Sequence, residues 1–173
     1  MPRNVEIKAR VDTPEALLEK VKQQNPHHHE ELHQTDTFFH SGKPEGRVKL
    51  REFSDAKAQL LSYDRSDQEG PKMSTYSRCE IDDAVGLKAT LEHAYGIKGV
   101  VEKVRHVYLV GQTRVHLDEV KNLGHFMELE VVLEDEQSLE QGEAIAQDLM
   151  QKLGIESKDL IQGAYMDLLL KQA

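Results

Sequence analysis

Charged side chains recur two residues apart along this chain: Lys49 with Arg51, Lys103 with Arg105, Arg114 with His116 and Asp118, and Glu128 with Glu130. In a β-strand, residues two apart leave the backbone on the same side. Each set is therefore a charged patch on one strand face, with apolar partners such as Val48, Leu50, Val115, Leu117, Met127, Leu129, Val131 and Leu133 on the other. Like charges so placed repel unless counter-charges stand between them. A triphosphate carrying a divalent ion supplies both signs. Guanidinium and ammonium groups take phosphate oxygens, arginine by forked contacts, and carboxylates hold Mg²⁺ or Mn²⁺.

The elements that must position these groups follow from periodicity. Residues 4–11 alternate Asn4, Glu6, Lys8 and Arg10 against Val5, Ile7, Ala9 and Val11, the pattern of a strand. Thr13 and Pro14 then open a helix carrying Leu17, Leu18 and Val21, which ends before Asn25-Pro26. His27, His28 and His29 read as a solvated loop rather than a metal site, because neighbours on a short loop diverge. Further strands are predicted over residues 32–39, 47–53, 58–65 and 75–81, with turn material at 41–46 and a polar loop at 66–73. Asp82 or Asp83 caps a helix closed by Gly96, and about three strands fill residues 102–133. Ser138 with Gln141 makes a capping box, and a last helix is predicted from Ser157 through Leu169. Tyr165 and Leu168 to Leu170 are its core face, and that helix is also placed to plug one end of the strand assembly.

Eight or so strands joined mostly by hairpin-length loops favour an antiparallel sheet or barrel with helices outside, an α+β chain. Residues 1–173 form a single domain on this reading. The charged faces collect Lys8, Lys49, Arg51, Arg65, Arg78, Lys103 and Arg105 as cations, and Glu6, Glu80, Asp118, Glu128 and Glu130 as carboxylates. If the sheet closes, they line a polar interior; if not, they are a washed outer face.

The net charge of -9 argues against a broad basic surface for nucleic acid. No apolar run approaches membrane-spanning length, and the opening residues lack a hydrophobic signal region. The single cysteine, Cys79, excludes a disulfide framework and reads as a small packed residue in a reducing, cytoplasmic setting. Phe38, Phe39 and Tyr63 are read as barrel packing, His116 as a hydrogen-bonded interior histidine, and Arg114 as a cation that strand pairing or ligand binding explains equally well.

The opening strand resembles the ExExK signature of the CYTH superfamily, the triphosphate tunnel metalloenzymes. Val5 to Lys8, Gly46 to Arg51, Lys103 to Arg105, Leu117 to Val120 and Leu123 to Glu130 match that family's segments in order and span nearly the whole chain. The resemblance implies a closed eight-stranded antiparallel tunnel, a triphosphate substrate and two divalent ions, Mg²⁺ or Mn²⁺. Carried over, it makes Glu6, Glu80, Asp118, Glu128 and Glu130 metal ligands. It makes Lys8, Lys49, Arg51, Arg65, Arg78, Lys103 and Arg105 phosphate binders; in a hydrolase, a metal or Lys8 then readies the water, Lys8 as catalytic base where the surrounding cations depress its pKa. Two departures stand out. Asn4 replaces the first signature Glu, removing one negative charge. The second strand carries Phe38-Phe39 where thiamine triphosphatases use a tyrosine, which argues against that dedicated activity.

Three functions compete. A metal-dependent triphosphatase stands first, because any triphosphate and a water suffice. A class IV adenylyl cyclase, releasing cyclic AMP and pyrophosphate, stands second, and a non-catalytic polyphosphate- or nucleotide-binding module third. The substrate is a small molecule in each case, and oligomeric state stays open.

Overall fold

A computed structural model of the chain describes residues 2–44, 46–64, 70–162 and 164–172. Eight strands form a closed antiparallel barrel: β1 (Arg3–Arg10), β2 (His28–Phe39), β3 (Gly46–Phe53), β4 (Ala58–Asp64), β5 (Lys72–Ile81), β6 (Ile97–Val110), β7 (Thr113–Val120) and β8 (Gly124–Val132). Around the barrel they run β1-β5-β4-β3-β2-β6-β7-β8, and β8 closes on β1. The helices are α1 (Pro14–Lys22), α2 (Ala84–Tyr95), α3 (Leu139–Lys152) and α4 (Tyr165–Gln172). No described helix is long and apolar enough to cross a membrane.

The apolar alternates face outward and find their cover in the helices. Val5, Ile7, Val115, Met127, Leu129 and Val131 are fully buried beneath Leu17 and Val21 of α1 and Ala146, Leu149 and Met150 of α3. Gly142 permits that close approach: a Cβ there would stand 2.5 Å from Leu133 and 2.6 Å from Val5. The Ser138–Gln141 capping box forms as the spacing predicts, with both reciprocal bonds in place. On the other flank, Ala84, Leu87 and Leu91 of α2 cover Phe39 and Leu50. Val85 of α2 stays exposed.

Three local expectations change. His28 and His29 belong to β2, not to a loop, because β2 pairs with β6 from His28 onward and the His29 ring stacks on Tyr108 at 4.3 Å. Cross-strand contact there overrides the turn signal of Asn25-Pro26. β5 begins at Lys72, earlier than the predicted strand, since Lys72 pairs with Glu6 of β1. The last helix does not run from Ser157. Leu160 bridges Ala9 and the Ile161 amide donates to the Lys8 carbonyl, so that segment lies extended along β1. The helix starts only at Tyr165, where Asp167 of its first turn accepts from the Ala164 amide at 3.0 Å.

α4 then seats against the end of the barrel. Tyr165 and Met166 pack with the inward-facing Phe38, Val101, Val120 and Phe126, and Gly99 leaves the space that Met166 fills. The barrel thus has an apolar stopper at one end and a polar interior above it.

Candidate active site in the barrel interior

The interior holds a cavity of about 460 Å³, within the roughly 300–1,000 Å³ typical of small-molecule sites. Glu6, Lys8, Lys49, Arg51, Arg78, Glu80, Lys103, Arg105, Glu128 and Glu130 all line it. Arg65 lies outside the described residues. Strand order sorts the charges. In a ring of eight, β8 stands four places from β3, and β1 four places from β2. Glu128 and Glu130 of β8 therefore face Lys49 and Arg51 of β3 across the interior.

The cationic wall is organised around a carboxylate that the charge pattern did not single out. Asp36 on β2 is 1% exposed. Its two oxygens accept from Arg51 Nε and Nη2, both at 2.7 Å, and from Lys103 Nζ at 2.9 Å, with Lys49 Nζ at 3.4 Å. Burial alone would push Asp36 up, but Arg51, Lys103 and Lys49 hold it well below the usual carboxylate range. One carboxylate cannot offset three cations. Burial and the neighbouring Arg51 bring Lys49 down to about 8, and Lys103 falls well below its ordinary value from burial and the repulsion of Arg105, Arg51 and Lys49, although it bonds Asp36. Asp36 held low and Lys103 brought down are consistent: the arginine stays protonated, so the crowding of positive charge tells on the lysines. This wall has a standing demand for another anion.

The signature alternates sort differently. Arg105 Nε and Nη2 donate to both oxygens of Asp118 at 2.8 Å, and Tyr165 adds its hydroxyl at 2.7 Å. Burial opposes the ionised form of Asp118, yet Arg105 brings it to about 2. Asp118 thus stands behind Arg105 as an anchor and does not line the cavity. Glu80 is exposed and accepts from Gln59 at 3.0 Å. Register places it in a row with Arg51 and Asp36, through Gln59, on the cationic side; the structure does not bring it to the other carboxylates. Arg78, also exposed, stands in the next such row, through Leu61 to Lys49.

The acidic wall gathers Glu128, Glu130 and His116, each offering a ligand atom within 4.8 Å of the others, with Glu6 directly across from Glu130 in the register. Arg114 donates to Glu130 Oε2 at 3.1 Å, the strand-pairing one of its two readings, and Asn4 Nδ2 donates to the same oxygen at 3.0 Å. Against burial, His116 when protonated and Arg114 hold Glu130 below its ordinary value. Burial and Arg105 bring His116 down to about 4, so its ring is neutral at neutral pH. Lys8 lies between the acidic wall and α4: Nζ is 3.6 Å from Glu128 and 4.1 Å from the Tyr165 ring centroid.

The arrangement fits a divalent ion on its own terms. Asn4 Oδ1 is a buried oxygen acceptor without a partner, on the same side of β1 as Glu6. Two carboxylates, an unsatisfied amide oxygen and a neutral ring nitrogen converge on one wall. Oxygen-rich sets of this kind hold hard or borderline divalent cations.

Sequence reasoning missed Asp36, Lys72 and the part His116 takes. Asp36 shares a face with Gln34 and Phe38 and could have been found by reading β2 for charge. Lys72 was hidden because Gly70-Pro71 reads as loop. Cys79, expected to be packed, is exposed on β5. Phe38 and Tyr63 line the cavity, whereas Phe39 packs under α2.

A family model described as the CYTH domain matches residues 2–165. A curated protein, adenylate cyclase CyaB of Aeromonas hydrophila, is 28% identical over 158 residues, covering 90% of this chain and 76% of that protein. The PH1012 protein of Pyrococcus horikoshii superposes with a TM-score of 0.85 at 22% identity, covering 95% of this chain and 98% of its own. HpAC1 of Hippeastrum, reported to have a dominant triphosphatase activity, superposes at 0.68 and 19% identity over 98% and 95%. The last two likenesses bear on the fold alone.

Proposed function

The chain belongs to the CYTH domain family, and from that premise we propose that it is a divalent-metal-dependent phosphohydrolase acting on a triphosphate, either tripolyphosphate or a nucleoside triphosphate. The observation that carries this reading is the cationic wall. Three cations, one buried and two partly buried, share the carboxylate of Asp36, and the acidic wall stands opposite. A linear triphosphate laid along the barrel neutralises the first wall and bridges to a cation on the second.

Phosphoryl transfer asks the protein mainly to position and neutralise. Arg51, Lys49 and Lys103 exchange part of their hold on Asp36 for phosphate oxygens. Arg105 is kept in plane by Asp118, leaving its Nη1 donors for the ligand, and Arg78 extends the row at the open side. Glu128 and Glu130, with Glu6 beside them, hold Mg²⁺ or Mn²⁺. When bound, that ion supplies charge neutralisation and a polarised water. Lys8, set between Glu128 and the Tyr165 ring, is the catalytic side chain that meets charge developing on the transferred group. Glu80, bonded to Gln59 on the other side, is not assigned to the metal. The setting we infer is cytoplasmic, in keeping with a lone unpaired cysteine.

The adenylyl cyclase reading is retained because the CyaB protein of Aeromonas hydrophila matches 90% of the chain. The same walls serve it with the nucleotide turned so that its 3′-hydroxyl attacks the α-phosphorus. Incubation with ATP and separately with tripolyphosphate, each with Mg²⁺ or Mn²⁺, decides. Orthophosphate from either supports the hydrolase; cyclic AMP with pyrophosphate replaces it by the cyclase; protection from unfolding without turnover refutes both in favour of a binding module.

A further inference from the structure

The acidic wall contains a nitrogen donor that nothing in an all-carboxylate metal site requires. His116 is 4% exposed. Its Nδ1 lies 3.2 Å from Glu130 Oε1, yet makes no aligned hydrogen bond and counts among the buried polar atoms without a partner. The other Glu130 oxygen is already taken by Asn4 and Arg114. Oε1 is thereby left on the His116 side. Glu128 sits directly across from His116 in the β7–β8 register and completes the group. A ring nitrogen and a carboxylate oxygen about 3 Å apart, without a shared, well-directed proton, have the spacing of two adjacent ligands on one ion. Ligands at ~2.1 Å and right angles stand ~3 Å apart.

We propose that His116 is a direct nitrogen ligand, with Glu128 and Glu130, and that it makes this wall select a first-row transition ion such as Mn²⁺ over Mg²⁺. Mg²⁺ prefers an all-oxygen octahedron and gives up water reluctantly. Imidazole is a borderline donor, and it strengthens binding of transition ions far more than of Mg²⁺. Asn4 acts in the same direction: an amide in place of a carboxylate removes negative charge, which costs a hard ion more than one with a nitrogen ligand. The proposal rests on the acidic wall being a metal site at all, and the test separates the two.

The probe is Mn²⁺ added to the full chain without nucleotide, followed by electron paramagnetic resonance, with Mg²⁺ as competitor. Pulsed measurement on the unaltered protein should show coupling to a directly bound ¹⁴N that changes on ¹⁵N-histidine labelling. His116→Gln should remove that coupling and weaken Mn²⁺ binding by about tenfold or more, while Mg²⁺ binding changes by less than about threefold. The chain has nine histidines, so His29→Gln serves as a control that should leave the coupling in place. Mn²⁺ bound by the unaltered protein with no nitrogen coupling overturns the His116 assignment and leaves the metal wall standing. So does coupling that survives His116→Gln. Failure of the unaltered protein to bind either ion removes the metal wall itself, and with it the proposal.

Discussion

Replacing Asp36 by Asn tests the electrostatic reading of the interior most directly. The substitution keeps the shape and removes the one charge that Arg51, Lys103 and Lys49 share at 2.7, 2.9 and 3.4 Å. Because Asp36 is 1% exposed, solvent screens these contacts little. Removing one partner of a buried ion pair costs about 3–5 kcal/mol. For a chain of this size each kcal/mol moves Tm by roughly 2–4 °C, so a fall of roughly 6–20 °C is expected. The pH dependence has a definite sign. The folded value of Asp36 is depressed well below its ordinary one, so its contribution is fully present above about pH 4 and is lost as pH falls through the lower, folded value. The gap between the two proteins should hold from pH 5 upward and shrink in acid. Tripolyphosphate should stabilise the variant more than the parent. In Asp36→Asn it no longer competes with a carboxylate for the cations, so its affinity should rise about tenfold, the factor that ~1.4 kcal/mol of released competition gives. Thermal melts with and without tripolyphosphate, in chelator, measure both. A variant melting within 2 °C of the parent, or gaining no more from tripolyphosphate than the parent does, would refute the claim that Asp36 stands in for substrate.

Lys49, brought down to about 8 by burial and by Arg51, should lose its proton and its phosphate contact as pH rises through that value. kcat/KM for tripolyphosphate then falls on the alkaline side, and Lys49→Arg should abolish that limb, read from a pH–rate profile. Arg51→Ala and Glu130→Ala should each lower turnover at least about 100-fold with far-UV circular dichroism unchanged; undiminished turnover in both would remove the site. Gly142→Ala should destabilise by about 1–3 kcal/mol in urea melts, because its methyl group meets Val5 and Leu133 where α3 rests on the barrel.

Most of the architecture is legible in the chain because the barrel is built from period-two alternation that helical segments interrupt. Glu6 and Lys8, Lys49 and Arg51, and Glu128 and Glu130 fall on the interior face as their spacing requires. What escaped depends on pairing across strands. β2 extends back to His28 because β6 offers fourteen residues to pair with, a fact in neither segment alone. Asp36 is one acidic residue among apolar and amide neighbours, and its importance appears only when β3 and β6 bring three cations to it. Glu80 and Asp118 illustrate the converse. Each has the type and spacing of a metal ligand, but strand order sets Glu80 beside Gln59 and gives both oxygens of Asp118 to Arg105.

The interior also shows how so many charges can be enclosed together. Each wall carries internal partners: Lys8 with Glu128, Arg114 with Glu130, Arg105 with Asp118, and the three cations with Asp36. These pairs are not equally exchangeable. The Arg105–Asp118 fork is two-pronged, buried and capped by Tyr165, so exchanging it would strand Asp118 in an apolar corner. Asp36 shares one charge among three groups, so giving up a lysine to phosphate strands nothing. On that asymmetry the first behaves as scaffold and the second as the substrate's place-holder. The tyrosine that caps the scaffold comes from α4, which ties the seating of the terminal helix to the posture of Arg105 and, through its ring, to Lys8.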